Sequence, residues 1–313
     1  MTDENPTFRC GTVALIGRPN AGKSTLLNRI LGAKLAITSP KPQTTRNRIV
    51  GVHTTDHSQL VLVDTPGLHK AWTELNKAMV KQTESAISDV DVVCWVEDMT
   101  VLVPRAERSQ EPSDAAVDAI VDMLTRAGRP VILVANKIDA VSKPLLLPVI
   151  DALSKRLNLL AVVPMSALKG DGLPALIGEI EAKLPVSPAL YPLDHWTEQS
   201  ERFMVAEIIR EKIFHLTEQE IPYACAVEIE VFNEEERETN DLVKIHAAII
   251  VERDAQKPIL IGKGGDMIKR IGTLARKDIT ELLECRVYLE LFVKVVPEWT
   301  RTEKGLRKVG YGR

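Results

Sequence analysis

Gly17-Arg18-Pro19-Asn20-Ala21-Gly22-Lys23-Ser24 decides how the first half of this chain folds. The stretch meets the phosphate-loop pattern GxxxxGK[ST] at every required position. Upstream, Thr12-Val13-Ala14-Leu15-Ile16 reads as a short buried strand. Downstream, Thr25 to Leu31 has helical spacing and stops at Gly32. Strand, loop and helix in that order are the setting in which the pattern holds phosphate. Gly17 and Gly22 let the backbone bend so that several N–H groups point at a polyphosphate, and the helix starting near Lys23 adds the positive end of its dipole. In such a loop the lysine, Lys23, reaches the β- and γ-phosphates, and the Ser24 hydroxyl takes one position on Mg²⁺.

Working outward, Ala36 to Arg46 carries two prolines and four hydroxyl residues and predicts an irregular loop. Arg48 to Thr54 and Gln59 to Val63 read as strands joined by a polar turn. The second runs into Asp64-Thr65-Pro66-Gly67, which puts an acid at the end of a buried strand, where ligands sit on an open α/β sheet. Gly67 offers a backbone N–H to a γ-phosphate. A helix over Thr73 to Ser88 and an apolar strand over Asp91 to Val96 follow. Met99 to Asp114, with Pro104, Pro112 and mixed charges, reads as a surface loop, and Ala115 to Ala127 as an amphipathic helix. The strand Pro130 to Ala135 opens into Asn136-Lys137-Ile138-Asp139. The strand Leu159 to Met165 ends in Ser166-Ala167-Leu168, and Leu173 to Leu184 is a closing helix. Alternating strands and helices predict a mostly parallel sheet with helices on both faces.

A phosphate loop, a threonine-bearing loop, DxxG, NKxD and SAL, in that order, resemble the translation-factor-like small GTPases over about the first half of the chain. The resemblance implies a GTP or GDP site. Gly17, Arg18, Pro19, Asn20, Ala21, Gly22, Lys23, Ser24 and Thr25 would surround the phosphates, joined by Thr65, Pro66 and Gly67. Ser24, Thr45 and Asp64 would hold Mg²⁺. Asn136 and Asp139 would read guanine, Asp139 accepting from the ring N1–H and the exocyclic amine, a donor pair that adenine lacks. The stem of Lys137 would pack on the base. Of Ser166, Ala167 and Leu168, the backbone of Ala167 would donate to the guanine O6. Thr44 is the alternative to Thr45, which is preferred because it directly precedes Arg46, as in related GTPases. Ras-like members carry a water-orienting glutamine after DxxG, and here that position is Leu68. The neighbouring His69 is a candidate for the task and reads equally well as a surface histidine. Slow intrinsic hydrolysis, dependent on a partner or an ion, is therefore expected. In related GTPases with an asparagine at the position of Asn20, K⁺ supplies charge beside the phosphates, so K⁺-stimulated turnover is expected too.

Over 313 residues, 45% hydrophobic and 27% charged, two ordinary globular cores are expected. A net charge of −3 excludes a chain that binds polyanions all over, so any nucleic-acid surface must be local. Cys10, Cys94, Cys225 and Cys285 are scattered without a CxxC pair and read as reduced thiols. The acidic, polar start lacks the basic and apolar regions of a signal peptide, and no apolar run approaches the roughly 20 residues of a membrane span. A cytoplasmic protein, free to touch a membrane surface, is expected.

The proline-rich stretch from Pro185 to Pro192 ends the first domain, giving boundaries of 1–184, a linker at 185–197, a second domain at 198–296 and a basic tail at 297–313. Glu198 to Leu216 carries the apolar stripe Phe203, Val205, Ile208, Ile209, Ile213 and Phe214 of an amphipathic helix. Tyr223 to Phe232 alternates as a half-exposed strand, and Leu242 to Glu252 pairs with it across an acidic turn. Next comes Ile261-Gly262-Lys263-Gly264-Gly265-Asp266-Met267-Ile268-Lys269-Arg270, then a strand from Arg286 to Val293. This order resembles the bacterial type II KH fold, an α+β RNA-binding module in which a GxxG loop joins two helices. The resemblance implies that Ile261, Gly262, Lys263, Gly264, Gly265, Ile268, Lys269 and Arg270 meet RNA. Seven Lys/Arg against three Asp between Arg253 and Asp278 agree with a local basic surface. Sparse aromatics argue for groove recognition of a few unstacked bases.

The two halves together resemble the Era-like GTPase family. The resemblance implies a GTP-hydrolysing switch that binds the 3′ end of 16S rRNA and assists 30S subunit assembly. It also implies peripheral contact with the inner membrane. A monomer is expected, and so is a tail, Trp299 to Tyr311, that closes over the RNA. A GTP-binding scaffold or RNA chaperone with incidental hydrolysis is the alternative reading.

Overall fold

The computed structural model describes residues 8–39, 41–68, 73–108 and 110–311, which form two compact units. His69, a candidate from the sequence, lies outside the described residues. Unit 1 contains residues 1–36, 45–70 and 79–198, and unit 2 contains 37–44, 71–78 and 199–313.

Unit 1 runs β1 (Arg9–Ile16), α1 (Lys23–Leu31), β2 (Ile49–Thr54), β3 (Ser58–Asp64), α2 (Glu74–Ser88), β4 (Val92–Asp98), α3 (Met99–Glu107), α4 (Ala115–Ala127), β5 (Val131–Asn136), α5 (Leu146–Ser154), β6 (Ala161–Pro164) and α6 (Leu173–Lys183). The first five residues of α2 group with unit 2. The sheet order is β2-β3-β1-β4-β5-β6, parallel except for β2, which pairs antiparallel at the edge. Ala14, Val93, Trp95, Leu133 and Ala135 pack with α3, α4 and α5 in one core. The alternate residues Val13, Leu15, Cys94, Ile132 and Val134 are equally buried, so the sheet is covered on both faces. All four cysteines are buried free thiols.

One correction falls here. Met99 to Glu107, expected as surface loop, is helical despite Pro104. Asp98 caps the helix by accepting the Thr100 N–H at 2.9 Å, and Met99, Leu102 and Val103 are buried in the core. The proline removes one ladder hydrogen bond, and the buried apolar face outweighs that loss. The stretch expected as a linker follows the edges of unit 1. Cys10 N–H donates to Pro185 O (3.2 Å), Val52 N–H to Trp196 O (2.8 Å) and Thr197 Oγ1 to Val50 O (2.7 Å).

Unit 2 runs α7 (Glu201–Leu216), α8 (Ile221–Ala224), β7 (Ala226–Asn233), α9 (Arg237–Asn240), β8 (Leu242–Val251), α10 (Lys257–Ile261), α11 (Asp266–Leu283), β9 (Arg286–Val295) and α12 (Glu303–Lys308). The sheet order is β7-β8-β9, antiparallel then parallel. α11 buries Ile271, Ala275, Ile279 and Leu283 at spacings of four, against Val205, Ile209 and Ile213 of α7 and Val243, Ile245 and Val293 of the sheet. Tyr223 falls in α8, so the strand starts at Ala226, later than its alternation suggests; Pro222 presets the helical turn at the first positions of α8. Within the same unit, Lys41 donates to the carbonyls of Phe214 (2.6 Å) and Thr217 at the end of α7, and Arg210 donates to Thr44 O. Arg210 is itself buried against Glu207, with Nε to Oε1 at 2.8 Å. Trp299 is fully buried. It donates from Nε1 to Ala224 O at 3.0 Å and stacks on Tyr311 at 5.6 Å. That indole is part of a core.

Candidate nucleotide site and nucleic-acid interface

The nucleotide motifs of unit 1 converge at the ends of β1, β3 and β5. Gly22 is the N-cap of α1, with φ 100° and no side-chain cap, so the first N–H groups of the helix remain for an anion. A Cβ at Gly22 would sit 2.2 Å from Asn136 Nδ2, so only glycine fits. Lys23 Nζ donates to the loop's own carbonyls, Gly17 O (3.2 Å) and Arg18 O (3.0 Å). Burial pulls its pKa down to about 8, against the opposing pull of Asp64 and Glu97.

Asp64, at the end of β3, accepts from Ser24 Oγ (2.7 Å) and Thr45 Oγ1 (3.1 Å) through Oδ2, and the two hydroxyls are 2.8 Å apart. Its other oxygen, Oδ1, is buried without a hydrogen-bond partner. Burial pushes the carboxyl pKa up. Two hydroxyls and a carboxylate with an unsatisfied oxygen form a donor set for a hard divalent cation, and the residues fit Mg²⁺. Thr45, not Thr44, belongs to this set.

Asn136 bridges the other two motifs. Its Oδ1 accepts the Ala167 N–H (2.9 Å) and its Nδ2 donates to Ala21 O (2.7 Å). Both ends of the carboxamide are thus taken by backbone, and NKxD, SAL and the phosphate loop become one piece. Lys137 has φ 66° and its Nζ lies 2.6 Å from Asp98. Asp139 is exposed, 3.8 Å from Lys169, and can accept from a ligand. Arg29 of α1 donates to Ala167 O at 3.2 Å and to Leu168 O, steadying the SAL loop. Ser166 is buried and the Leu168 side chain exposed. Leu68 is buried in the core with Ile16 and Trp95, and its N–H donates to Gly17 O at 3.2 Å. Asn20 is exposed in the loop with φ 61°. Sequence reasoning missed Glu97, a buried acid that holds Arg18. Its signal was the same as that of Asp64, an acid at the end of an apolar strand.

The GxxG loop of unit 2 needs its glycines: φ is 76° at Gly262, 63° at Gly264 and 89° at Gly265, and a Cβ at Gly262 would meet Met267 N at 2.7 Å. Gly265 is the N-cap of α11 and provides no side-chain cap. Lys263, Lys269 and Arg270 are exposed and make no ion pair among the described residues. Ile261 and Ile268 are half-buried beside them. The sequence also understated the exposed aromatics: Tyr288 (52% exposed) and Phe292 (37%) lie on the open face of β9.

These features define a P-loop GTPase unit followed by a KH unit. Comparison with known proteins agrees. Residues 12–137 match the family described as 50S ribosome-binding GTPase, and residues 220–300 match the KH domain. The chain is 48% identical to GTPase Era of Geobacter metallireducens over 308 residues, covering 98% of this chain and 99% of that one. It is 48% identical to GTPase Era of Geotalea uraniireducens, covering 99% and 100%. Among solved structures, a single-residue variant of Aquifex aeolicus Era bound to GDP.AlF4⁻ superposes with a TM-score of 0.90 at 37% identity, over 98% of this chain and all of that one. An Era complex with MgGDPNP and nucleotides 1506–1542 of 16S ribosomal RNA gives 0.91 at the same identity and coverage. The chain belongs to the Era family of GTPases.

Proposed function

We propose that this GTPase is a GTP-dependent switch that binds the 3′ end of 16S rRNA through its KH unit and assists assembly of the small ribosomal subunit. The observation that carries the reading is the likeness, over nearly the whole chain, to a relative solved with MgGDPNP and that RNA segment. The GTPase model's description names the large subunit, but it matches 12–137 only. The full-length likeness therefore weighs more.

In this reading the N–H groups of the phosphate loop and of the first turn of α1 bind the polyphosphate, and Lys23 leaves its two carbonyls for phosphate oxygens. Ser24, Thr45 and Asp64 hold Mg²⁺, which supplies positive charge against the β- and γ-phosphate oxygens when bound. Asp139 accepts from guanine while Asn136 keeps the base and phosphate loops in register. Gly17, Arg18, Pro19, Thr25, Thr65, Pro66, Gly67, Lys137, Ser166, Ala167 and Leu168 complete the nucleotide site. Leu68 offers no carboxamide to orient water, so turnover depends on charge and geometry supplied at Asn20 by K⁺.

Thr44 belongs to unit 2, where Arg210 holds its carbonyl, and Thr45 belongs to unit 1. One peptide bond therefore joins the Mg²⁺ ligand to a segment held on α7. A coupling of about 1–3 kcal/mol by this route changes RNA affinity by about 5–150-fold between nucleotide states. Exposed Lys263, Lys269 and Arg270 meet the RNA backbone. The loop glycines let their N–H groups approach that backbone, and Ile261 and Ile268 border the bases. No helix among the described residues is long and apolar enough to cross a membrane. We place the protein in the cytoplasm as a monomer, with peripheral contact at the inner membrane.

The test is multiple-turnover GTP hydrolysis with and without a single-stranded copy of the 16S 3′ end, in KCl and in NaCl. Stimulation by RNA that is lost on changing Lys263 and Lys269 to Glu is the expected result. An RNA that neither binds nor changes the rate removes the rRNA reading, and equal rates in the two salts remove the K⁺ role.

A further inference from the structure

The segment between β4 and α4, to which no role attaches so far, is bracketed by acids that grip the phosphate loop. Glu97 is fully buried at the end of β4. Its Oε1 accepts from Arg18 Nε (2.5 Å) and from the Asp98 N–H (3.2 Å), and its Oε2 accepts from Trp95 Nε1 (3.1 Å). Asp114 takes the other edge of the same guanidinium, with Arg18 NH1 to Oδ2 at 3.0 Å and NH2 to Oδ1 at 3.2 Å. The same Oδ1 caps α4 by accepting the Ala116 and Val117 N–H groups, both at 3.0 Å. The main chain of Arg18 faces the phosphate pocket, where its carbonyl accepts from Lys23 Nζ at 3.0 Å. One residue thus has its side chain fixed by two acids and its backbone against the phosphate lysine.

We propose that Glu97 and Asp114 are positioning residues for nucleotide binding: by holding Arg18 from both sides they fix the phosphate loop in the shape that receives a guanosine di- or triphosphate. The inference rests on the nucleotide-site reading above. It also removes Arg18 from the charges that meet a γ-phosphate, because its Nε, NH1 and NH2 are all engaged by acids. A buried guanidinium is tolerated only in fork geometry with its charges matched, and loss of one partner leaves a charge without compensation. Burial pushes the Glu97 carboxyl up to about 7, opposed by Arg18. The groups facing it are Arg18 of the phosphate loop, Lys23 of α1 and Asp114 at the start of α4, with Trp95 and Asp98 on its own strand. Protonation near neutrality therefore loosens the grip.

The experiment follows dissociation of a fluorescent GDP from the full chain in Mg²⁺, chased with unlabelled GDP, from pH 6 to 8.5. Glu97→Gln keeps the shape and removes the charge. Asp114→Asn removes the charge but keeps a good helix cap. Glu97→Gln is expected to release GDP about tenfold faster than wild type at pH 8, with a rate that no longer quickens as pH falls through 7, whereas wild-type release does. Asp114→Asn is expected to show a smaller increase with an unchanged thermal midpoint. Arg18→Lys does not restore slow release, because an ammonium lacks the fork. Wild-type binding with release from both variants within about twofold at every pH overturns the inference alone. Failure of wild type to bind GDP overturns the nucleotide-site reading and this inference together. If Glu97→Gln does not fold, a flat wild-type pH profile and a wild-type rate for Asp114→Asn overturn it.

Discussion

The two working regions of this chain handle charge in opposite ways. In the nucleotide site, Lys23, Ser24, Thr45, Asp64 and Asn136 are buried and bonded to one another or to backbone. In the GxxG loop, Lys263, Lys269 and Arg270 stand in solvent without an ion pair among the described residues. A buried network exchanges one set of partners for another when a small, highly charged ligand arrives, so it is rigid and sensitive to every atom. Exposed cations lose little when left alone and respond to a long polyanion through screening and counterion release. Single changes should therefore act steeply in the first region and gradually in the second.

The largest break comes at Asn136. Asn136→Ala leaves the Ala167 N–H and the Ala21 carbonyl without their partner, at about 1–3 kcal/mol for each buried group. GDP affinity by isothermal titration should fall about 100-fold. A loss under about threefold would mean that the two loops hold their places without this bridge.

A smaller effect is expected in the KH unit. Changing Lys263 and Lys269 to Glu should weaken RNA binding about tenfold at 0.1 M salt and make the slope of log K against log salt shallower by about 1.4, since single strands give about 0.7 per phosphate neutralised. Fluorescence anisotropy across a salt series reads both. An unchanged slope would show that these cations do not meet the RNA backbone.

The smallest effect is a pH dependence confined to the nucleotide site. The folded pKa of Lys23 is lowered to about 8, so in the free protein the ammonium loses its proton as pH rises through 8, and binding a polyphosphate must then take one up. GDP affinity should weaken about threefold between pH 7.5 and 8.5, with proton uptake on binding visible as a buffer-dependent enthalpy. RNA affinity over the same range should not follow that curve. A parallel decline in both would place the titrating group elsewhere.

Much of the candidate site was legible because its parts are contiguous. A phosphate loop needs glycines at fixed spacing, and the GxxG loop needs three left-handed residues, so each leaves a local pattern. The interlocking of these parts was not legible. Asn136 reads as a base-contacting residue, and its role as the bridge between Ala21 and Ala167 depends on three strand ends meeting. The helix at Met99 to Glu107 was hidden by Pro104 and mixed charge, since a loop composition says nothing about the core cleft that Met99, Leu102 and Val103 fill. The burial of Trp299 was equally illegible, because it depends on Tyr311 and on the distant Ala224 carbonyl.

By itself the sequence determined the order of the nucleotide motifs, the alternating elements of the first half, the KH pattern of the second and the candidate Mg²⁺ donors, with the choice between Thr44 and Thr45 left open. Those features rest on backbone requirements and periodicity, which act between neighbours along the chain. Only the tertiary structure decided that Leu68 is core, that Asp64 keeps one buried oxygen without a partner, and that Arg18 is held between Glu97 and Asp114, residues far from it in sequence. The physical reason is the cost of desolvation. Whether a charge is exposed, paired or left wanting depends on which distant atoms exclude water from it, and no local pattern carries that information.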